Sequence, residues 1–296
     1  MKKLKLLILI VSSTDYPSPR NKKIQKKTWV DTQFSDVEII YYKAGNNTKI
    51  TDDELEVKVG ASTLDMGLKN ILAFEYVLEN FQFDYMFRTT TTSYVNVGNL
   101  FEHLHSNNLQ NDFFYSGVIM NTNDPEGKQI DFVSGAGILF NHKTVDTIVK
   151  NKNQIDYELW DDVGLGKLMM EIGIDPVEGK RFDVNGNIFK EKIELNHYHY
   201  RCRIDNHYGY PRFLEAYVIK FLDKYVIEGS VNKFIEIVGS TIFEIFKLFY
   251  IQYPLLKFTV LFKKFIKKIT PGVIFNFLKN KFGKKYNNIL LKYFKY

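Results

Sequence analysis

At 296 residues the chain is long enough for one large domain, or a domain with an appendage, around a substantial core. Its 25 Phe and 19 Tyr exclude global disorder, and its single cysteine, Cys202, excludes a disulfide framework and any multi-cysteine metal site. The net charge of +6 is lopsided, +11 in residues 233–296 and −5 in residues 1–232, so overall charge gives no ground for a nucleic-acid role.

The chain opens on a short apolar run with no small-residue cleavage site behind it. Residues 4–11 therefore read as a first buried strand rather than a secretory signal, and a reducing, cytoplasmic compartment is expected. The turn-rich Ser12-Ser13-Thr14-Asp15-Tyr16-Pro17-Ser18-Pro19-Arg20 leads into a basic helix ending near Trp29, and a strand is expected at 36–42. Leu64, Leu68, Ile71, Leu72, Phe74 and Leu78 fall on helical spacing up to Asn80. A strand at 83–88 follows, and Asn96 is placed to cap a helix running to His105. Further strands are expected at 113–119 and 130–133, and helices at 141–150, 160–172 and 211–227. Strands alternating with helices predict an α/β fold with a mostly parallel central sheet flanked by helices. In such sheets ligands bind beyond the carboxyl ends of the strands.

Residues 1–232 are expected to form this domain, and 233–296 a basic, aromatic, amphipathic helical tail. The tail's apolar runs are too often interrupted by lysine to reach the roughly 18 residues a bilayer span needs. Two readings of it stay open: a helix lying on an anionic membrane surface, and helices packing on the body or on a second subunit.

Four motifs occur in order. Ser12-Ser13 ends the first strand, with Arg20 and Lys26-Lys27-Thr28-Trp29 behind it. Leu68-Lys69 lies on the helix before Phe83-Asp84-Tyr85-Met86-Phe87-Arg88, which runs into Thr89-Thr90-Thr91-Thr92-Ser93-Tyr94-Val95-Asn96. Ser134-Gly135-Ala136-Gly137 reads as a turn after a strand, where glycine lets backbone approach a ligand closely. Trp160-Asp161-Asp162-Val163-Gly164 opens a helix, where acids favour the helix dipole and can also act as a base. Taken together, over roughly residues 4–205, these segments resemble the Fringe and β-1,3-galactosyltransferase superfamily of GT-A glycosyltransferases.

The resemblance implies a nucleotide-sugar-binding fold, a UDP-sugar donor, a glycan or glycolipid acceptor, and transfer with inversion. It implies a donor/acceptor pocket at Ser134, Gly135, Ala136, Gly137 and Trp160, and a base in the acidic pair, with Asp162 favoured over Asp161. The departure from the family lies at Thr90, Thr91 and Thr92, where it carries metal-binding aspartates; neutral hydroxyls are poor ligands for a divalent cation beside a diphosphate. No metal or other cofactor is therefore expected. Replacement charge is expected from His199, Arg201 and Arg203, which strand alternation places on one face with His197. Arg88, at the family's Lys position, can pair with phosphate or with a core acid, and Ser12, Ser13, Arg20 and Lys69 complete the expected donor site. A non-catalytic relative that binds carbohydrate or nucleotide, and a scaffold recruited to membranes by its tail, are the rival readings.

Overall fold

In the computed structural model, which describes residues 4–252 apart from 33, 107–111, 125, 205–209 and 230–231, β1 (Leu6–Val11) is buried along its whole length. Its alternate residues serve two cores: Leu6, Ile8 and Ile10 face one, and Leu7, Leu9 and Val11 face the other. An apolar run without a polar face is what a strand covered on both sides requires. After β1 come α1 (Ser18–Gln25), which passes into a π-helical turn over Lys26–Val30, and β2 (Val37–Gly45). A polar hairpin, β3 (Lys49–Thr51) and β4 (Glu54–Lys58), precedes α2 (Met66–Asn80), β5 (Tyr85–Thr90), β6 (Ser93–Val95) and α3 (Val97–Ser106). The long hairpin β7 (Tyr115–Asn123) and β8 (Gln129–Asn141) leads to α4 (His142–Lys150) and α5 (Asp161–Glu171). The chain continues through β9 (Val177–Glu178), β10 (Arg181–Asp183), β11 (His199–Arg201), α6 (Glu215–Glu228) and α7 (Lys233–Gln252).

The main sheet has the order β3-β4-β2-β1-β5-β8-β7-β9. Its centre, β4-β2-β1-β5, is parallel, so four strand ends open on one edge. β8 then runs antiparallel to both β5 and β7, which makes the sheet mixed around a parallel centre. A second sheet, β10-β11-β6, stacks over the face that carries α6. Helices α2, α4 and α5 cover the opposite face. The cap expected at Asn96 is in place, its Oδ1 accepting from Asn99 N at 3.1 Å, and Asn141 caps α4 in the same way, its Oδ1 accepting from Thr144 N at 2.9 Å.

One expectation is corrected. Ser134–Gly137 is not a turn but a bulged stretch inside β8, because the β7 register jumps from Ile138 at Gly117 to Val133 at Ile119. The β3–β4 hairpin adds an edge that its polar residues did not announce. At the sequence boundary at 232/233 the helices on either side are in contact, as one of the two open readings of the tail has it. There Gly229, in the left-handed conformation, ends α6, and Tyr225 in α6 donates from its hydroxyl to Glu236 in α7 at 3.0 Å. Helix α7 then packs Phe243 against Phe189 and Tyr210, so its inner face belongs to the main core. The tail expected over 253–296 lies outside the described residues.

Candidate active site

β5 carries Arg88 up through the sheet, where the side chain is buried. Its Nε donates to the Tyr42 hydroxyl at 3.1 Å, and its Nη2 donates to Asp161 Oδ2 at 2.9 Å and to Asn70 Oδ1 at 3.3 Å. Nη1 donates to the carbonyl of Gly135. Asn70 turns the set into a closed network: its Oδ1 accepts from Tyr42 at 2.6 Å and its Nδ2 donates to Asp161 Oδ2 at 2.9 Å. Burial opposes the charge on Arg88, yet Tyr42 and Asp161 hold the guanidinium above its ordinary pKa. Of the two roles open to Arg88 in the sequence, the structure shows the pair with a core acid.

Asp161 and Asp162 open α5 side by side but meet different surroundings. Asp161 is the salt-bridge partner of Arg88. Asp162 accepts from Gly135 N at 2.8 Å on Oδ2 and from Val163 N at 3.1 Å on Oδ1. Its carboxyl is pushed above the ordinary aspartate range, chiefly by burial and further by Asp161, against the pull of the Gly135 amide and Arg88. A Cβ on Gly135 would sit 3.1 Å from both Arg88 Nη1 and Asp162 Oδ2, so the absence of a side chain is what lets both charges close on the bulge. Lys69, one residue before Asn70, is buried beside the same network. Burial lowers its amine pKa, with Arg88 adding to the effect and Asp65 and Asp161 opposing it. Trp160, 67% exposed, stands at the start of α5 next to the acids.

The threonine run spends its hydroxyls locally. Thr90 Oγ1 and Thr92 Oγ1 lie 2.8 Å apart, and Thr91 Oγ1 donates to Ser18 Oγ at 3.1 Å. Ser18 Oγ also accepts from Ser13 N at 3.0 Å, so the ends of β1 and β5 are stitched together. Ser12 Oγ reaches Glu54 Oε1 at 3.1 Å, which Lys22 also binds, while Lys43 binds Oε2. As a donor set these neutral, mutually bonded hydroxyls do not fit a divalent cation. Among the described residues no three of His, Cys, Asp and Glu are grouped to hold a metal.

Arg20, expected at the donor, lies with its guanidinium 5.0 Å from the Tyr217 ring and so fastens α1 to α6. His199, expected on a polar face with Arg201 and Arg203, is buried between the sheets. Its Nε2 lies 2.9 Å from Ser93 Oγ, which lies 2.7 Å from Thr89 Oγ1, and Thr89 donates to the Ala136 carbonyl at 2.9 Å. The ring presses so closely on Gly137 that a Cβ there would come within 2.4 Å of it. Burial, then Arg181 and Arg201, drive the His199 pKa well down, so the ring is neutral. Arg201 is half-buried and Arg203 exposed.

The sequence reading missed Tyr42, Asn70 and Arg181. Asn70 was legible only as a polar residue on the buried face of an apolar helix. Arg181 pairs across the small sheet with His199, is 7% exposed on its side chain, and forms an ion pair with Asp183 at 2.9 Å. Its Nη1 is buried with no hydrogen-bond partner. A depression of about 360 Å³ lined by Asp84, Tyr85, Asn141 and His142 opens at the other end of β5 and touches none of these groups.

No protein-family model matches the sequence, and no curated protein matches it. Among solved structures the chain is similar to a glycosyltransferase involved in glycosylation of the major capsid of PBCV-1, with 12% identity, 73% of this chain and 99% of that one covered, and a TM-score of 0.45. It is also similar to the 4-diphosphocytidyl-2C-methyl-D-erythritol synthase of Anaerococcus prevotii DSM 20548, with 8% identity, 74% and 96% covered, and a TM-score of 0.40. A third likeness is to the galactosyltransferase LgtC, with 9% identity, 80% and 100% covered, and a TM-score of 0.39. Likenesses at this identity and score carry no chemistry over to this chain.

Proposed function

We propose that the edge formed by the ends of β1 and β5, the β8 bulge and the start of α5 is the active site of a glycosyltransferase of the GT-A type. It takes a nucleotide-sugar donor, a UDP-sugar by the resemblance of its motifs to the Fringe group, and transfers the sugar with inversion to a hydroxyl of a glycan or glycolipid. The observation that carries this reading is the split between two adjacent carboxylates. Asp161 is neutralised by Arg88, whereas Asp162 is half-buried, tethered to Gly135 and raised in pKa. Neighbouring acids whose environments push their proton affinities apart mark an acid–base site. Asp162 is the base that takes the proton of the acceptor hydroxyl as it attacks the anomeric carbon, and the nucleotide leaves from the opposite face. Arg201, with Arg181 beside it, supplies donors toward the diphosphate.

The test is a donor-hydrolysis and transfer screen over UDP- and GDP-sugars, with and without EDTA. Turnover of one donor that survives chelation supports the reading. An absolute requirement for manganese or magnesium overturns its metal-independent form, and binding without turnover for any donor favours a non-catalytic relative. That second reading draws on one observation: the hydroxyls of Thr90, Thr91 and Thr92 bond to one another and to Ser18 rather than standing open.

A further inference from the structure

Helix α7 is apolar on two sides. Gly239 and Phe243 are buried against the body, with Gly239 seated on the Phe189 ring and Phe243 edge-on to it. A stripe of Glu236, Ser240 and Glu244 marks one flank and anchors the helix, through Ser240 and Glu244 to Asn187 at 3.0 Å each and through Glu244 to Tyr210 at 2.8 Å. The side opposite the core is also largely apolar: at 100° per residue Phe234, Ile237, Val238 and Ile245 share it with Thr241, whose hydroxyl is turned back onto the Ile237 carbonyl. Phe234 is 70% exposed and Ile237 63%, and Ile227 at the end of α6 is 71% exposed. A helix that is apolar nearly all round belongs in a buried setting, and here only half of that setting is supplied by the body.

The sequence that follows says what covers the other half. Residues 253–296 hold eleven lysines and neither an acid nor an arginine, interleaved with Phe, Ile and Leu. A second copy of the chain on this face would bring two such segments together with no counter-charge between them. An anionic lipid surface supplies both missing elements, an apolar layer for Phe234 and Ile237 and negative headgroups for the lysines. We infer that the outer face of α7, with Ile227, is a docking surface for an anionic bilayer. Among the described residues no helix is long and apolar enough to cross a membrane, so the contact is interfacial. Because the inner face of α7 is locked into the core, this contact fixes the orientation of the whole domain on the membrane, rather than tethering it by a free tail.

Co-flotation of the full chain with vesicles tests this, using phosphatidylcholine alone and phosphatidylcholine mixed with phosphatidylglycerol, at low and high salt. The expected result is binding to the mixed vesicles only, weakened by salt. The double variant Phe234→Ser, Ile237→Ser changes only exposed side chains, and should bind at least about tenfold more weakly. The single variant Phe234→Trp reads the same contact without removing it, since its added fluorescence should be quenched by brominated lipid on binding. The inference is overturned if the chain binds neither vesicle or both equally, if the double variant binds as the wild type does, or if the fluorescence of the introduced tryptophan is not quenched. It is also overturned if light scattering shows a dimer that the double variant converts to a monomer, because the face is then an interface between copies.

Discussion

Arg88 donates to Asp161 Oδ2 at 2.9 Å, and in doing so separates Asp161 from the residue beside it. One carboxylate of the pair is consumed in holding a buried cation, and the other keeps a raised proton affinity next to the strand ends. The pair is also a structural liability. Removing one partner leaves the other charge buried and unpaired, which typically costs ~3–5 kcal/mol. Arg88→Met and Asp161→Leu should therefore each lower stability strongly in urea denaturation. The double variant should be milder than the sum of the two, and additive costs would show that the ion pair is not the coupling between them.

Asp162→Asn keeps the shape of the side chain and removes the proton acceptor. Turnover should fall ~10²–10⁴-fold while nucleotide affinity stays within a few-fold of wild type, as expected for a group acting in the chemical step. In the wild type the acidic limb of the rate profile should lie above the ordinary aspartate range, because burial raises the Asp162 pKa and the base works only when ionised. Titration calorimetry alongside initial rates separates the two effects. Loss of activity in Asp161→Asn with Asp162→Asn still active would reverse the assignment.

Arg201→Ala should weaken binding of UDP more than that of UMP, and reduce turnover as well. Arg181→Ala should do the same, since its buried Nη1 has no hydrogen-bond partner and its side chain neighbours His199. Arg201→Lys should rescue only in part, because an ammonium cannot reproduce the guanidinium fork. The calorimetric difference between UDP and UMP is the measurement. A variant pair that leaves this difference unchanged would move the diphosphate to another part of the edge.

His199 gives a pH dependence of stability with a definite sign. Its pKa in the folded chain is depressed, by burial first, so the unfolded chain binds the proton more readily. Its contribution is complete above the unfolded value of about 6.5 and is lost as pH falls toward the folded pKa, at up to ~1.4 kcal/mol per pH unit. His103 is shifted in the same direction by burial and by Lys180, so the wild-type curve contains both. The denaturation midpoint of His199→Gln should therefore fall less steeply than that of wild type between about pH 6.5 and 5. Parallel curves would remove His199 from the account.

The sequence was most legible where periodicity and burial agree. β1 and β5 read as strands because their apolar residues must fill both faces of a covered sheet, and α2 read as a helix because apolar residues such as Ile71 and Phe74 recur at helical spacing, although Leu64 and Leu68 of the same set are exposed. It was least legible where a local rule gave way to tertiary packing. The glycines of Ser134–Gly137 look like a turn, but they are a bulge that makes room for Arg88, Asp162 and the His199 ring. Alternation placed His199 with the solvent-facing arginines. β11 is the middle strand of the small sheet, and the face that carries His199 lies against the main sheet, so the ring is buried among Phe87, Ser93 and Gly137. The partner of Arg88 was undecidable in sequence, since Asp161 is 73 residues away and reaches it only through the packing of α5 on the sheet.

Gly135 meets both charges of the site at a single α-carbon. Its amide holds Asp162 and its carbonyl holds Arg88, so the proposed base and the structural cation hang from one residue of a bulged strand like two arms from a yoke. A side chain introduced at this one position would meet the guanidinium and the carboxylate at the same distance, so a single substitution disturbs both seats at once.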